Sequence, residues 1–178
     1  MRESELSGSE ASPQRFLVIQ PGGQEHICQM LPALKALQNI FPTAEITLLI
    51  GEAIEPRLGS VARLWVRPLT NLPALLPHLQ TQAFTAAFLF TPPGHSPYPL
   101  AYACYCAGIP LRIGQSVEFG GGVLSHWVKP LPAVVPGEHY LHLLTAIEEL
   151  AADQLRPPGQ QPAAWPDQKE TVHAHASS

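Results

Sequence analysis

Residues 20–26 read Gln-Pro-Gly-Gly-Gln-Glu-His and are the part of the chain best suited to chemistry. Gly22 and Gly23 let the backbone turn closely, and the amides that open a following helix have no partners within that helix. Amides at a helix start bind anions, because the helix dipole adds to their own partial charge. The pattern therefore predicts a ligand loop over residues 21–26. A tight strand-to-helix connection without a ligand explains the same residues.

The elements that would position this loop alternate regularly between short apolar runs and amphipathic segments. Predicted strands are 16–19, 46–50, 63–66, 86–90, 111–114 and 127–131, and predicted helices are 25–41, 72–81, 98–107 and 138–152. Strands that alternate with helices predict an α/β fold with a doubly wound, Rossmann-like parallel sheet. Such sheets bind ligands beyond the carboxyl ends of their strands, where the 21–26 loop would lie.

Two local features of the predicted helices carry their own expectations. Pro32 cannot donate to the carbonyl of Cys28, which predicts a kinked or semi-detached first turn in the helix over 25–41. Tyr98, Tyr102 and Tyr105 are spaced so that they would pack against the sheet.

Composition sets the class of protein and its partners. The 178 residues suffice for one domain, predicted over 15–152, with a disordered segment over 1–14 and a flexible tail over 153–178. The hydrophobic fraction of 46% against 13% charged residues is typical of a soluble domain with a buried sheet. A net charge of −4 argues against a nucleic-acid partner. We find no secretory signal and no apolar run long enough for a transmembrane segment, which predicts a cytoplasmic protein.

Cysteine and histidine spacing indicates no metal site and no cofactor. Three cysteines form no even framework, which favours a reducing compartment. His139 and His142 share a helix face, and His173 and His175 lie close together in the tail. Neither pair comes with further convergent ligands, so metal binding is not predicted.

Four segments resemble, in order, glycosyltransferase family 9, the lipopolysaccharide heptosyltransferases. They are FLVIQPGGQEHICQMLPALKAL (16–37), FPTAEITLLIG (41–51), AYACYCAGIPLRIG (101–114) and GEHYLHLLTAIEEL (137–150). The resemblance implies the N-terminal, acceptor-side domain of a GT-B glycosyltransferase. Such an enzyme transfers a sugar from a nucleotide donor to a lipopolysaccharide or other cell-envelope glycan.

The resemblance also implies roles for the end of the loop. The family's Gly-Asp aspartate is the expected base for the acceptor hydroxyl; His26 stands at its place and Glu25 at that of the preceding glycine. Imidazole is a competent base near neutral pH, so His26, or Glu25 beside it, is the predicted catalytic group. The alternative is that His26 is a histidine at a helix start with no chemical task.

The remaining candidates concern ligand binding. Gly22, Gly23 and Gln24 are expected to contact the acceptor, and Arg112 could hold a phosphate or carboxylate of it through paired hydrogen bonds. A surface ion pair is the alternative for Arg112. Glu52, which follows the second predicted strand, is the one residue that favours a nucleotide-binding alternative, since the loop lacks a GxGxxG pattern.

The family's donor-binding motif has no counterpart after Leu150, so the resemblance predicts an acceptor-side domain with the donor half missing. Alone it is expected to be nearly inactive, because orientation of donor and acceptor supplies much of the rate. Its expected partners are the glycan acceptor, a separate donor-binding chain, and other copies through an exposed interdomain face. A non-catalytic remnant or binding module, or a small Rossmann-type nucleotide binder, remain alternatives.

Overall fold

The computed structural model describes residues 13–53, 62–118, 120–132 and 135–151. The strands are β1 (Arg15–Gln20), β2 (Glu45–Ile50), β3 (Arg63–Val66), β4 (Ala86–Leu89), β5 (Leu111–Gln115) and β6 (His126–Val128), and the helices are α1 (Gln24–Ile40), α2 (Leu72–Gln80), α3 (Tyr98–Cys106) and α4 (Glu138–Leu150). All ten predicted elements are present. The segment predicted as disordered lies, but for residues 13 and 14, outside the described residues, and so does the predicted tail.

The six strands form one parallel sheet in the order β3-β2-β1-β4-β5-β6. This is the doubly wound order, so the predicted fold class is confirmed. The order reverses between β1 and β4, where the loops that follow these two strands leave in opposite directions and open a crevice. The register pairs Ile19 with Leu89 and Leu89 with Gly114, so β1, β4 and β5 end at the same edge.

Apolar residues fill both faces of the sheet. On one face α1 and α4 pack over side chains such as Phe16, whose ring meets those of Phe41 and Phe88 edge-on at 4.9 and 5.3 Å. On the other face α2 and α3 cover Leu17 and Leu89. Each fully buried large side chain contributes about 1.5–3 kcal/mol. The first of these cores holds α1 and α4 side by side on the same face of the sheet.

Three local expectations differ from the structure. Helix α1 continues through Pro32, so its first turn is not semi-detached. Because Cys28 and Pro32 both face solvent, water can satisfy the carbonyl that the proline leaves free. Tyr102 and Tyr105 are exposed, since α3 buries its small residues instead. Strand β6 ends at Val128, shortly before Pro130, which has no N–H for the ladder.

One glycine brings α4 against the start of α1. Gly137 precedes α4 with φ of +92°, a conformation that favours glycine, and a Cβ there would lie 3.2 Å from the carbonyl oxygen of Gln29. The close approach places the first turn of α4 beside the first turns of α1. Residues 114 positions apart in the chain, His26 and Tyr140, thereby come into contact.

Candidate functional site

The predicted ligand loop folds back on the first turn of α1. Gln20 ends β1 with its side chain fully buried, and its Oε1 accepts a hydrogen bond from the Gly22 amide at 2.8 Å. A Cβ on Gly22 would lie 2.8 Å from both Cβ and Cδ2 of His26, closer than such atoms come in proteins. Glycine at position 22 therefore lets the His26 side chain lie against the loop.

Tyr140 contacts the imidazole of His26. The distance from the tyrosine hydroxyl to His26 Nδ1 is 3.2 Å, and the rest of the Tyr140 side chain is buried in the core. Burial raises the pKa of Tyr140, while the nearby Gln20 amide acts in the opposite direction. The phenol therefore keeps its proton at neutral pH and can donate or accept. Gln20 Nε2 itself has no hydrogen bond of normal geometry among the described residues.

A second polar group joins the ends of β4 and β5 to α4. The ring Nε2 of His139 lies 3.0 Å from the carbonyl oxygen of Thr91, and the side-chain amide of Gln115 donates to the His139 carbonyl. Burial lowers the pKa of His139; the Thr91 carbonyl opposes this effect, and the nearby His142 and His26 add to it. His139 is consequently neutral near pH 7.

This second group lines a cavity of about 170 Å³ at the carboxyl edge of the sheet. Its walls come from the loop after β4, the end of β5 and the first turn of α4. The lining residues are Thr91, Pro92, Gly94, His95, Ser96, Gln115, Ser116, Val117, Glu118, Pro130 and His139. Among the described residues, Gln115 Oε1 and His139 Nδ1 have no hydrogen-bond partner.

Glu25 lies apart from the His26–Tyr140 contact. Its carboxylate is exposed and accepts a hydrogen bond from Gln29 Nε2 at 3.0 Å, one turn along α1. On the other side of the helix start, Glu52 Oε1 comes within 3.3 Å of the position a Cβ of Gly23 would take. These two carboxylates complement the positive end of the helix dipole. The start of α1 is therefore less favourable to an anionic ligand than the loop sequence alone predicts.

Arg112 is buried and its donors are used within the fold. Its guanidinium donates to the carbonyl oxygens of Val123, Ile109, Pro110 and Gly122 at 2.6–3.3 Å. It also lies 5.2 Å from the ring centre of Tyr105. Arg112 stands near the amino end of β5, away from the carboxyl edge. It anchors the glycine-containing segment after β5 and is accordingly left out of the proposed site.

Among these site residues Gln20 was predicted only as the first residue of the loop, and His139 was weighed only as a metal ligand. Tyr140, Thr91 and Gln115 were not predicted from the sequence. The sequence does carry a signal for Gln20, Thr91 and Gln115, because each is a polar residue at, or two positions after, the end of a buried strand. Tyr140 gave no such signal, because its spacing with Leu143 and Ile147 predicts only a core position.

Two further features bear on the type of site. Within the described ranges no group of three or more His, Cys, Asp or Glu is placed to hold a metal ion. No helix in the described part of the chain is both long and apolar enough to cross a membrane.

Solved structures of heptosyltransferases share this fold. The chain is similar to ADP-heptose lps heptosyltransferase II of E. coli (21% identity, 73% of this chain and 40% of that one, TM-score 0.59). It is similar to the family 9 glycosyl transferase of Veillonella parvula DSM 2008 (14%, 74% and 40%, TM-score 0.60). It is also similar to E. coli heptosyltransferase WaaC, solved with ADP (14%, 75% and 46%, TM-score 0.59).

These likenesses show a heptosyltransferase-like, Rossmann-type α/β fold and confirm the predicted resemblance at the level of fold. The chain spans 40–46% of the length of these three proteins. No protein-family profile matches the sequence. No curated protein matches it either.

Proposed function

We propose that this domain binds a glycan acceptor, such as a lipopolysaccharide core, as the acceptor side of a family 9-type glycosyltransferase. The observation that carries the proposal is the position of His26. It lies at the switch point of a heptosyltransferase-like sheet, in the place where the family resemblance puts the catalytic base, and Tyr140 orients it. The domain would work in the cytoplasm, with its acceptor at the inner membrane surface.

In this proposal His26 acts through one tautomer. Nδ1–H donates to the Tyr140 hydroxyl, which leaves the lone pair on Nε2 to take the proton from an acceptor hydroxyl. The acceptor oxygen forms the new bond to the sugar, and the nucleotide diphosphate leaves from the opposite face with the bonding electrons. Tyr140 is a positioning residue, since it acts on the imidazole and not on the substrate.

Transfer also requires a donor-binding domain, which the proposal assigns to a separate chain. Binding of the acceptor alone, without catalysis, is the remaining function if no such partner acts with it. The carboxylates of Glu25 and Glu52 at the start of α1 disfavour the nucleotide-binding alternative, because they would repel a phosphate there.

The first experiment measures binding by the purified chain. ¹⁵N-edited NMR titrations with a short lipopolysaccharide-core oligosaccharide and, separately, with ADP should show shifts of the 20–26 loop for the oligosaccharide only. His26→Ala should weaken that binding, while His78→Ala, an exposed histidine on α2, should not. Tight binding of ADP with no response to the oligosaccharide would refute the proposal in favour of a nucleotide binder.

The second experiment tests the base. Transfer by the chain supplied with a donor-binding half should fall more than tenfold in His26→Ala, in line with the roughly 10²–10⁴ that general-base catalysis contributes. Glu25→Ala tests the alternative base and should change turnover little, since the Glu25 carboxylate pairs with Gln29. Unchanged turnover in His26→Ala would remove the catalytic role and leave acceptor binding alone.

A further inference from the structure

A groove between β3 and α2, at one edge of the sheet, is lined by two arginines and a histidine. This β3–α2 groove consists of two adjoining cavities of about 150 and 230 Å³, and Arg67 and His78 line both of them. Arg63 and Trp65 line the larger cavity. The Arg67 amide still bonds to the Ile50 carbonyl at 3.0 Å and so continues the strand. Alternate residues of a strand share a face, which places both guanidinium groups in the groove.

The positive charge of the β3–α2 groove has no partner within the described part of the chain. The ion pair that the described residues contain joins Arg15 to Glu45 at 3.2 Å, and neither arginine of the groove takes part in it. Arg67 donates to the carbonyl oxygen of its neighbour Val66, which carries no charge. A guanidinium group binds carboxylates through paired, charge-assisted hydrogen bonds. The groove therefore fits an acidic occupant.

The N-terminal segment of this chain has the complementary charge. Residues 1–12, which precede the described part, contain the acidic residues Glu3, Glu5 and Glu10. Their one basic side chain is that of Arg2, near the end farthest from the fold. The segment thus brings three carboxylates to whichever surface lies within its reach.

The β3–α2 groove lies within that reach. The Arg15 guanidinium at the start of β1 donates to the Gln82 carbonyl at 2.6 Å, and Gln82 lines the larger cavity. An extended chain rises about 3.3 Å a residue, so the two arginines of the groove, four residues apart, are separated by about 13 Å. The five residues from Glu10 back to Glu5 span about 17 Å at the same rise, enough to bring one carboxylate to each arginine.

We propose that residues 3–10 of this chain dock in the β3–α2 groove, with Glu10 beside Arg63 and Glu5 beside Arg67. The docked segment covers the groove and reduces its attraction for anions from solution. Composition alone predicts disorder for this segment, and the unpaired arginines are the reason to expect docking instead. The inference does not depend on the proposed function, because no residue of the ligand loop lines the groove.

The test compares the native chain with a variant that carries Glu3→Gln, Glu5→Gln and Glu10→Gln. The indole Nε1–H of Trp65 and the ring of His78 report on the groove by NMR. Both signals should move in this triple variant, because the carboxylates leave the groove. About 0.5 M NaCl should move the signals of the native chain in the same direction, since salt screens exposed charges.

Two controls separate contact in the groove from a general effect of charge. Glu148→Gln combined with Glu149→Gln removes two exposed carboxylates of α4 and should leave the Trp65 signal unchanged. The indole signal of Trp127, on the opposite edge strand β6, should stay unchanged in every variant.

The reciprocal variant changes the groove instead of the segment. Arg63→Gln combined with Arg67→Gln should shift the backbone amide signals of residues 3–10, because their partners are gone. Lys35→Gln removes an exposed positive charge from α1 and should leave those amides unchanged. Unchanged amides in the double arginine variant would show that the segment does not contact the groove.

Hexaglutamate and inorganic phosphate then probe the groove from solution. The Trp65 signal should respond to hexaglutamate at an about threefold or more lower concentration in the triple variant, because the native segment competes at a high effective concentration. An equal response of the two proteins to either probe means that the groove takes anions from solution without the segment, which overturns the proposal. It also fails if the triple variant leaves Trp65 unchanged, if the α4 control moves it as much, or if hexaglutamate has no effect on the triple variant.

Discussion

Replacing Gly22 by alanine should strain the site more than the same change at Gly23. The new Cβ at position 22 would meet Cβ, Cγ and Cδ2 of His26 at 2.8–2.9 Å. At position 23 it would meet only the carboxylate oxygen of Glu52 at 3.3 Å, the end of a flexible and exposed side chain. Gly23 has φ of −70° and ψ of −173°, which alanine adopts readily.

The magnitude follows from the comparison of the two variants. Each Gly→Ala change restricts the unfolded chain and stabilises the protein by about 0.4–1 kcal/mol, so this effect cancels in the difference. Crowding a packed contact costs about 1–3 kcal/mol. The free energy of unfolding of Gly22→Ala should therefore lie about 1–3 kcal/mol below that of Gly23→Ala, which itself should equal or slightly exceed that of the unmodified protein.

Urea denaturation followed by circular dichroism measures both values, and a double-mutant cycle assigns the cause. In a His26→Ala background two of the three close contacts are gone, so Gly22→Ala should cost less there than in the unmodified protein. Equal stabilities of the two alanine variants would refute the reasoning. A cost at position 22 that does not change in the His26→Ala background would show that the strain lies elsewhere.

Three other expectations concern the surroundings of the site. Because burial lowers the pKa of His139, this imidazole takes up a proton at higher pH in the unfolded chain than in the folded chain. The free energy of unfolding should therefore fall as the pH drops below about 6.5. This fall should be smaller in His139→Asn than in His142→Asn. Arg112→Lys should lower stability by about 2 kcal/mol or more in urea denaturation, because an ammonium group cannot reach four carbonyls, whereas Arg67→Lys at an exposed site should change it little. Burial raises the pKa of Cys104 to about 12. An aromatic disulfide reagent at pH 8 should therefore label the exposed Cys28 and Cys106 at once, and Cys104 only after unfolding. Rapid labelling of all three thiols would contradict the buried position of Cys104.

The local sequence predicted the strands and helices well, because each has its own periodic pattern of apolar residues or its own terminating residue. The apolar run at 16–19 and the alternating pattern of 25–41 needed no information from the rest of the chain. Glycine at the end of the first strand likewise predicted a tight connection. Pro32 does not detach the first turn of α1, because the carbonyl that it leaves without a donor faces water. Which side of a helix faces water depends on what packs against its other side, and the local sequence does not show this.

What the sequence by itself determined was the order of strands and helices, and therefore a doubly wound sheet; it predicted a ligand loop at the carboxyl edge of that sheet. The tertiary structure decided which side chains come into contact there. His26 meets Tyr140, and Gln115 meets His139, only because parallel strands and the helices above them bring distant parts of the chain to one edge. The tertiary structure also removed one candidate: the guanidinium of Arg112 donates to backbone carbonyls that only the folded chain places around it, so it is not free to bind a ligand. Hydrogen-bond partners depend on burial and on the distances between elements, and the spacing of residues along the chain predicts neither.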